Sequence, residues 1–310
     1  MKVFNTWSDL PPTALGASLA IGNFDGVHAG HQSVIAAARM VAQRQGAPLG
    51  VATFEPLPRR FFHPDAPPFR LQTRHGRQRA LAQLGVDLMF ELPFDARLAA
   101  MSDKDFCADM IAAGLRARHV STGFDFRFGH DRMGDSKSLV RHGAMLGFGV
   151  SVCEAVADER GAKASSSRVR ELLQAGDVAG AAEILTRPWE AEGVVRQGDQ
   201  RGRTIGFPTA NLRLGDLIHP AHGVYAVTAD IGDGIWRAGV ANFGRTPTVG
   251  ERAPLLEVNL FDFDADIYGR TLRVRLCAFL RAERKFDGLD ALKAQIALDA
   301  AAARALLAAA

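Results

Sequence analysis

Residues 18–31, SLAIGNFDGVHAGH, decide the fold of the first half of the chain. A short apolar run stops at Gly22, a polar turn follows, and residues 30–44 carry apolar side chains at helical spacing. The order is therefore strand, loop, helix. Backbone N–H groups and the positive end of the helix dipole meet in such a loop, which makes it suited to binding a phosphate group.

The same alternation of strands and helices continues to about residue 153. Strand-like runs are LGVATF (49–54), VDLMFEL (86–92), HVSTGF (119–124) and GFGVSVC (147–153). Helix-like runs are GRQRALAQLG (76–85) and DKDFCADMIAAGL (103–115), the latter with Asp103 as its expected cap. Such alternation predicts a doubly wound α/β domain with a mostly parallel sheet, whose ligands bind at the carboxyl ends of the strands.

The pattern changes near residue 187. SRVRELLQAG (167–176) predicts a helix that ends at Gly176, Asp177 is expected to cap DVAGAAEIL (177–185), and Pro188 breaks the pattern. We therefore predict domains at residues 1–186 and 187–310. Five β-like runs follow, at residues 190–197, 223–231, 235–243, 255–263 and 271–280, and an Ala-rich helix begins after Gly288. This spacing predicts a small antiparallel β-barrel with a C-terminal helix.

Composition excludes several classes of protein. The chain has 310 residues, 47% hydrophobic and 23% charged, which argues against disorder and leaves room for two domains. A net charge of +3 is too small to indicate a nucleic-acid or membrane-surface partner. Three scattered cysteines suit neither a disulfide framework nor a zinc site. The N-terminus lacks the pattern of a signal peptide and no apolar run is long enough to span a bilayer, so we expect a cytoplasmic protein.

The loop after the first strand contains a histidine pair. It lacks the Lys of a Walker A motif and the G-x-G-x-x-G of a dinucleotide fold, so the positive groups facing a phosphate would be His28 and His31. The three-residue spacing could also hold a metal, although no Cys or third His lies nearby in the sequence. Either histidine alone could be an ordinary surface residue on a Gly-rich turn.

This loop resembles the nucleotidylyltransferase signature G-x-F-D-G-x-H-x-G-H, in the form found in the bacterial bifunctional riboflavin kinase and FAD synthetase (FMN adenylyltransferase) family. TFEPLP (53–58), GFDFRFG (123–129) and SSSRVR (165–170) follow in the family's order. The resemblance implies a nucleotidylyltransferase-like fold in which His28 and His31 are catalytic and contact the phosphates of ATP. It assigns further ATP contacts to Gly22, Phe24, Asp25, Gly26, Ser165, Ser166, Ser167 and Arg168.

Two of these assignments have simpler alternatives. The run of serines from Ser165 could only cap a helix, although hydroxyls and amides at a helix N-terminus also suit an anion. Asp125 matches a family position near the flavin, yet an Asp in a turn is equally ordinary. Ser167 replaces a family Thr and keeps its hydroxyl. Leu57 stands where the family has His, in T-F-x-P-H-P, so we expect adenylylation to be slower or differently tuned.

A second candidate site lies in residues 198–212, GDQRGRTIGFPTANL. Its glycines permit a close approach of backbone to phosphate, but glycine spacing alone would also fit a hairpin loop. The whole string resembles the riboflavin kinase signature. That resemblance implies that Gly202, Gly206 and Pro208 contact ATP, and that Thr209 and Asn211 hold Mg²⁺ and the ATP phosphates. Both residues offer the hard oxygen donors that Mg²⁺ prefers.

Glu257 is the candidate base of the second site. Within LLEVNL it could face solvent by the alternation of a strand, or project into a site. The resemblance implies that Glu257 accepts the proton of the riboflavin 5′-hydroxyl. Asn259 occupies a position where many relatives have His, with no predicted consequence. The charged turn LRAERKF (280–286) lies where flavin contacts are expected or is simply a surface turn.

The resemblance therefore implies an enzyme that phosphorylates riboflavin to FMN and adenylylates FMN to FAD, with ATP as the donor and Mg²⁺ as the cofactor. Its partners would be riboflavin, FMN and ATP, with no nucleic acid and no membrane. Two alternatives stay open: a riboflavin kinase whose adenylylating half is weakened or inactive, and a module that binds flavin or nucleotide without turnover.

Overall fold

The chain folds into two compact units. The computed structural model describes residues 1–159, 161–197, 207–244 and 254–309. The first unit comprises Met1–Ala66 and Arg74–Ser165, and the second comprises Pro67–Thr73 and Ser166–Ala310. The predicted domain boundary at residue 186 stays a prediction of the sequence.

A six-stranded parallel sheet forms the centre of the first unit. Its spatial order is β1-β4-β3-β2-β5-β8, so the order reverses beside β2, where a doubly wound sheet opens a crevice for ligands. The strands are β1 (Lys2–Phe4), β2 (Ser18–Ile21), β3 (Leu49–Glu55), β4 (Leu88–Pro93), β5 (His119–Gly123) and β8 (Gly149–Cys153); β6 (Arg127–Phe128) and β7 (Gly134–Asp135) form a separate hairpin. The predicted doubly wound fold is confirmed.

Helices cover both faces of this sheet. They are α1 (Ala29–Gln45), α2 (Pro58–Phe62), α3 (Arg74–Gln83), α4 (Ala96–Ala99), α5 (Asp103–Asp105) and α6 (Ser136–Leu146), with a π-helix at Phe106–Gly114. Along β2, Leu19 and Ile21 belong to one hydrophobic core, whereas Ala20 belongs to the other. This alternation places a packed core on each face and leaves the carboxyl edge of the sheet to the loops.

The expected helix cap at Asp103 is wrong. Ser102 is the N-cap, because its hydroxyl accepts a hydrogen bond from the backbone N–H of Asp105 at 3.0 Å. Asp103 is the next residue, and its carboxylate lies 2.9 Å from Nε2 of His142 on α6. That hydrogen bond lowers the pKa of Asp103 below its ordinary value. Ser and Asp are equally good caps, so the sequence did not distinguish them.

An antiparallel sheet of six strands forms the second unit. Its order is β10-β13-β12-β11-β14-β9, and a bridge between Asn211 of β10 and Arg196, which lies two residues beyond β9, links the two edges of this half-barrel sheet. The strands are β9 (Trp189–Val194), β10 (Ala210–Leu212), β11 (Gly223–Asp230), β12 (Arg237–Gly244), β13 (Leu255–Leu260) and β14 (Thr271–Ala282). Helices α7 (Ser166–Gln174), α8 (Val178–Leu185) and α9 (Leu289–Ala308) complete the unit. Asp177 caps α8, as predicted.

The C-terminal helix packs on the barrel sheet. Ala303 of α9 is fully buried in one cluster with Val224 and Ala226 of β11. Arg281 of β14 forms an ion pair with the buried Asp299 of α9, with the closest N–O distance at 2.7 Å. The predicted C-terminal helix is therefore an integral part of the second unit.

The short segment Pro67–Thr73 also belongs to the second unit. The indole N–H of Trp189 donates to the carbonyl of Leu71 at 2.7 Å, and the hydroxyl of Thr73 donates to Glu192 at 2.9 Å. Nε of Arg170 donates to the carbonyl of Phe69 at 2.7 Å. A fragment that starts at residue 187 would lack these partners.

We expect Trp189→Phe to lower the free energy of unfolding of the second unit by about 2 kcal/mol. The variant loses one buried hydrogen bond and part of a ring that is 1% exposed. Urea unfolding followed by circular dichroism measures the change. Trp236→Phe is the matched control, because Trp236 is only partly buried and stacks under Arg275. Equal unfolding midpoints for the two variants would contradict the prediction.

No helix in the described residues combines the length and the apolar composition needed to cross a membrane.

Candidate functional sites

The loop between β2 and α1 positions both predicted histidines at the start of a helix. His28 is the N-cap of α1, and its Nδ1 accepts a hydrogen bond from the backbone N–H of His31 at 3.3 Å. The two rings stack with centroids 3.7 Å apart. His28 is 7% exposed, so its ring is held firmly in this position. Because Nδ1 of His28 accepts a hydrogen bond, its proton-bearing nitrogen in this arrangement is Nε2.

The backbone of this loop is strained. Phe24 and Val27 have φ values of 49° and 47°, and Gly26 has 93°. A left-handed conformation is especially unfavourable for a β-branched residue such as Val27, and each strained residue costs of the order of 1–3 kcal/mol. Burial maintains the strain: Phe24 and Val27 are no more than 1% exposed. The Phe24 ring also lies 5.1 Å from the ring of His31. Such strain is typical of ligand-binding loops.

The segment leading to Ser165 lies against the first turn of α1. A Cβ added at Gly30 would lie 3.2 Å from the carbonyl oxygen of Ala164, a tight contact that a larger residue would disturb. Glycine at position 30 therefore allows Ser165, the last residue of the first unit, to follow close to the histidine loop. In the second unit, Ser166 and Ser167 of the second predicted group open α7. Arg168 lies 3.3 Å from Glu171 in the same helix.

Asp125 is paired with Lys163, which lies in none of the sequence motifs. Nζ of Lys163 contacts the Asp125 carboxylate and lies 4.7 Å from the centre of the Phe124 ring. Both members of the ion pair are well exposed. Lys163 lies two residues before the predicted triphosphate group, and this proximity in sequence was the only signal that could have identified it.

In the second unit, three polar residues lie side by side on neighbouring strands. Glu257 of β13 is directly opposite Asn211 of β10 and Asn242 of β12. Directly opposite residues of antiparallel strands share one face of the sheet. Leu256 and Val258, which flank Glu257, are buried on the other face. Glu257 is therefore part of a polar row rather than an isolated solvent-facing residue.

Thr209 and Asn211 line one pocket, together with Pro208, Val258 and Tyr268. Thr209 immediately precedes β10, and the spacing of two residues directs both side chains to one side of an extended chain. The amide of Asn259 donates to the carbonyl of Pro208 at 2.7 Å. Asn259, which had no predicted role, thus anchors the start of this segment. Its offset of two from Glu257 places both on one face of β13.

Two predicted ATP contacts, Gly202 and Gly206, lie outside the described residues. Of the charged turn at residues 280–286, Arg281 is engaged by Asp299 and Glu283 approaches His222 at 3.5 Å. The amide of Asn242 also lies 3.4 Å from Glu283. The polar row on the sheet thus continues towards this turn.

Comparison with known proteins matches two family models to different parts of the chain. A family model described as FAD synthetase matches residues 11–168, and one described as riboflavin kinase matches residues 185–307. Three curated relatives named bifunctional riboflavin kinase/FMN adenylyltransferase match nearly the whole chain. The Pseudomonas fluorescens protein is 42% identical, with 99% of this chain and 98% of the relative covered. The proteins of Escherichia coli K12 (41%; 93% and 92%) and Bacillus subtilis (39%; 91% and 89%) are similar.

A solved structure shares the whole fold. A protein from Streptococcus pneumoniae, described as a macrolide-efflux protein, is 32% identical, with a TM-score of 0.84 and 96% of both chains covered. The two family models and the nearly full-length relatives agree with the motifs of both units. The chain belongs to the bifunctional riboflavin kinase/FMN adenylyltransferase family.

Proposed function

We propose that this chain makes both flavin cofactors, converting riboflavin to FMN in its second unit and FMN to FAD in its first. The observation that carries the proposal is that the histidine loop and the kinase motif each lie within one unit in a suitable geometry. The first unit holds a histidine pair at a helix N-terminus. The second holds Glu257 beside Asn211, which lines a pocket.

Adenylylation requires no protein nucleophile. A phosphate oxygen of FMN attacks the α-phosphorus of ATP, forming the new P–O bond, and pyrophosphate leaves. Catalysis of such transfers consists mostly of positioning and of neutralising the charge that develops. We assign this task to His28, His31 and the loop residues Gly22, Phe24, Asp25 and Gly26, with the side chains of buried Phe24 and Asp25 acting as supports. Contacts to the triphosphate are assigned to Ser165, Ser166, Ser167 and Arg168, and Asp125 is assigned to the flavin.

Phosphorylation requires a base. The 5′-hydroxyl oxygen of riboflavin attacks the γ-phosphorus of ATP, the hydroxyl proton passes to the Glu257 carboxylate, and ADP leaves. Asn211 and Asn242 lie directly opposite Glu257 on the two neighbouring strands and share its face of the sheet. Pro208 is assigned to ATP, and the pocket that it lines supports this assignment. Gly202 and Gly206 remain assignments from the sequence.

Mg²⁺ is the metal that fits the donors of the second unit. Thr209 and Asn211 offer a hydroxyl and an amide oxygen in one pocket, and Mg²⁺ is usually held by few protein oxygens, several waters and the substrate phosphates. When bound, the ion would neutralise phosphate charge during transfer. A cytoplasmic location is also proposed, since Cys107, Cys153 and Cys277 are all free thiols, as expected in a reducing compartment.

Product analysis tests the function. Purified protein with riboflavin, ATP and Mg²⁺ should accumulate FMN and then FAD on chromatography, and supplied FMN should yield FAD and pyrophosphate. FMN alone as the final product would reject the bifunctional proposal. Consumption of neither ATP nor flavin would favour a binding module instead.

A riboflavin kinase with weakened adenylylation is the second candidate, and Leu57 motivates it. Leu57 is 3% exposed and precedes α2, at the position where the family's histidine would stand. If the missing imidazole limits the rate, Leu57→His should raise FMN adenylylation about tenfold, the size of one charge-assisted hydrogen bond. The rate of pyrophosphate release from supplied FMN and ATP measures adenylylation, and Leu57→Met is the volume-matched control. An unchanged adenylylation rate in folded Leu57→His protein would show that leucine in place of the family's histidine has no effect on the reaction.

A further inference from the structure

Arg77 is a buried arginine of the first unit that belongs to none of the motifs. It lies on α3, and its side chain is 1% exposed. A charge buried to this extent is tolerated only when it is paired and hydrogen-bonded. Nη2 of Arg77 lies 2.8 Å from a carboxylate oxygen of Glu55 and 2.9 Å from one of Glu91. Glu91 also contacts Arg74.

The other amino group of Arg77 reaches the backbone at the carboxyl edge of the sheet. Nη1 lies 3.3 Å from the carbonyl oxygen of Asn23 and 3.4 Å from that of Phe54. The Asn23 carbonyl accepts a second hydrogen bond, at 3.0 Å, from the hydroxyl of Thr53. One guanidinium therefore connects the loop after β2 with the end of β3 and, through Glu91, with β4.

These contacts fix the direction of the first peptide group in the strained loop. A trans peptide is planar, so its C=O and the following N–H point in opposite directions. Because the Asn23 carbonyl points to Arg77 and Thr53, the N–H of Phe24 must point away from them. Phe24 is also the first residue of the loop in a left-handed conformation. Rotating this peptide would lose both hydrogen bonds and would redirect an N–H group in the loop assigned to the phosphates.

We infer that Arg77 is a positioning residue for adenylylation, which holds the β2–α1 loop through the carbonyl of Asn23, with Thr53 as its partner. The inference rests on the proposed function of that loop. The contrasting role is purely structural, in which Arg77 neutralises Glu55 and Glu91 and the loop geometry does not depend on it.

Two substitutions separate these roles. Arg77→Lys keeps the buried positive charge, but a single ammonium cannot reproduce the fork that reaches two carboxylates and two carbonyls. Thr53→Val removes the other donor to Asn23 and leaves both ion pairs intact, so it decides the question even if Arg77→Lys fails to fold. Thr53→Ser keeps the hydroxyl and should rescue activity. Ser18→Ala is the matched control, because it removes a buried 2.8 Å bond to the Ala38 carbonyl at the other end of β2.

The experiment measures kcat and KM for ATP in FMN adenylylation by the full-length chain, per folded molecule, at 10 and 25 °C. Riboflavin phosphorylation by the same samples is the internal control. We expect Arg77→Lys to lower kcat/KM roughly 100-fold, as for a misplaced catalytic loop, and Thr53→Val roughly tenfold. In the variant that combines Arg77→Lys and Thr53→Val, kcat/KM should fall by less than the product of the two single factors, because both donors act on the carbonyl of Asn23. The kinase constants should not change.

Three results would overturn the inference. The first is that adenylylation kcat/KM falls in Arg77→Lys and Thr53→Val no further than in Ser18→Ala, and the second is that its fall is proportional to the unfolded fraction at each temperature. The third is that adenylylation and riboflavin phosphorylation fall by equal factors. If the wild-type chain itself releases no pyrophosphate from FMN and ATP, the proposed function fails, and the inference fails with it.

Discussion

Glu257→Ala should abolish riboflavin phosphorylation and leave the adenylylation of supplied FMN at its wild-type rate. The expected fall in kinase kcat is roughly 10²–10⁴-fold, the range of a lost general base. Glu257 has Asn211 and Asn242 directly opposite on the two adjacent strands, and neither amide can act as a base in its place. FMN formation from riboflavin and FAD formation from FMN are measured side by side by chromatography.

Glu190→Ala is the control for this variant. Glu190 is a glutamate on β9 of the same sheet, where it pairs with Arg275 at 3.5 Å. We expect it to retain both reactions. If Glu257→Ala loses adenylylation as well, the two sites are not independent. If it keeps phosphorylation, Glu257 is not the base.

The sequence predicted those elements whose periodicity and termination signals agree. The helix expected at residues 30–44 is Ala29–Gln45, because an apolar stripe lies between a Gly-rich loop and Gly46, which takes the left-handed conformation of a helix end. Other elements escaped prediction. β10 has only three residues and follows a proline, so its strand character comes from pairing with β13. Pro67–Thr73 belongs to the second unit through contacts that no local pattern encodes.

The same difference between local sequence patterns and tertiary contacts applies to the site residues. His28 and Glu257 could be identified because they lie in motifs that resemble those of a known family, although strand alternation alone left Glu257 open between solvent and a site. The positions of Asn242 and Arg77 could not. Asn242 lies beside Glu257 because of the register between β12 and β13. Arg77 reaches Asn23 across 54 positions of sequence, and a helical arginine ordinarily faces solvent. Register and burial are tertiary properties, and one sequence specifies them only through the whole fold.

Replacing both His28 and His31 with alanine should stop FAD formation and spare FMN formation. Removing one preorganised donor to developing charge costs roughly 10²–10³-fold in kcat, so we expect at least a 10³-fold loss for the pair. The two rings stack 3.7 Å apart at the N-terminus of α1, which supports a joint action on one phosphate group. Pyrophosphate release from FMN and ATP measures the loss, and riboflavin phosphorylation by the same sample reports whether the second unit remains intact.

Because His28 is also the N-cap of α1, the alanine variant alone would confuse two effects. Losing an N-cap costs about 1 kcal/mol of stability, whereas asparagine is among the best N-caps. His28→Asn with His31→Gln therefore preserves the helix start and removes both imidazoles. If the imidazoles donate hydrogen bonds to the phosphates, this variant should be as inactive in adenylylation as the alanine variant, with a higher melting temperature. Recovery of FAD formation in the Asn/Gln variant would instead show that the histidines serve only the start of the helix.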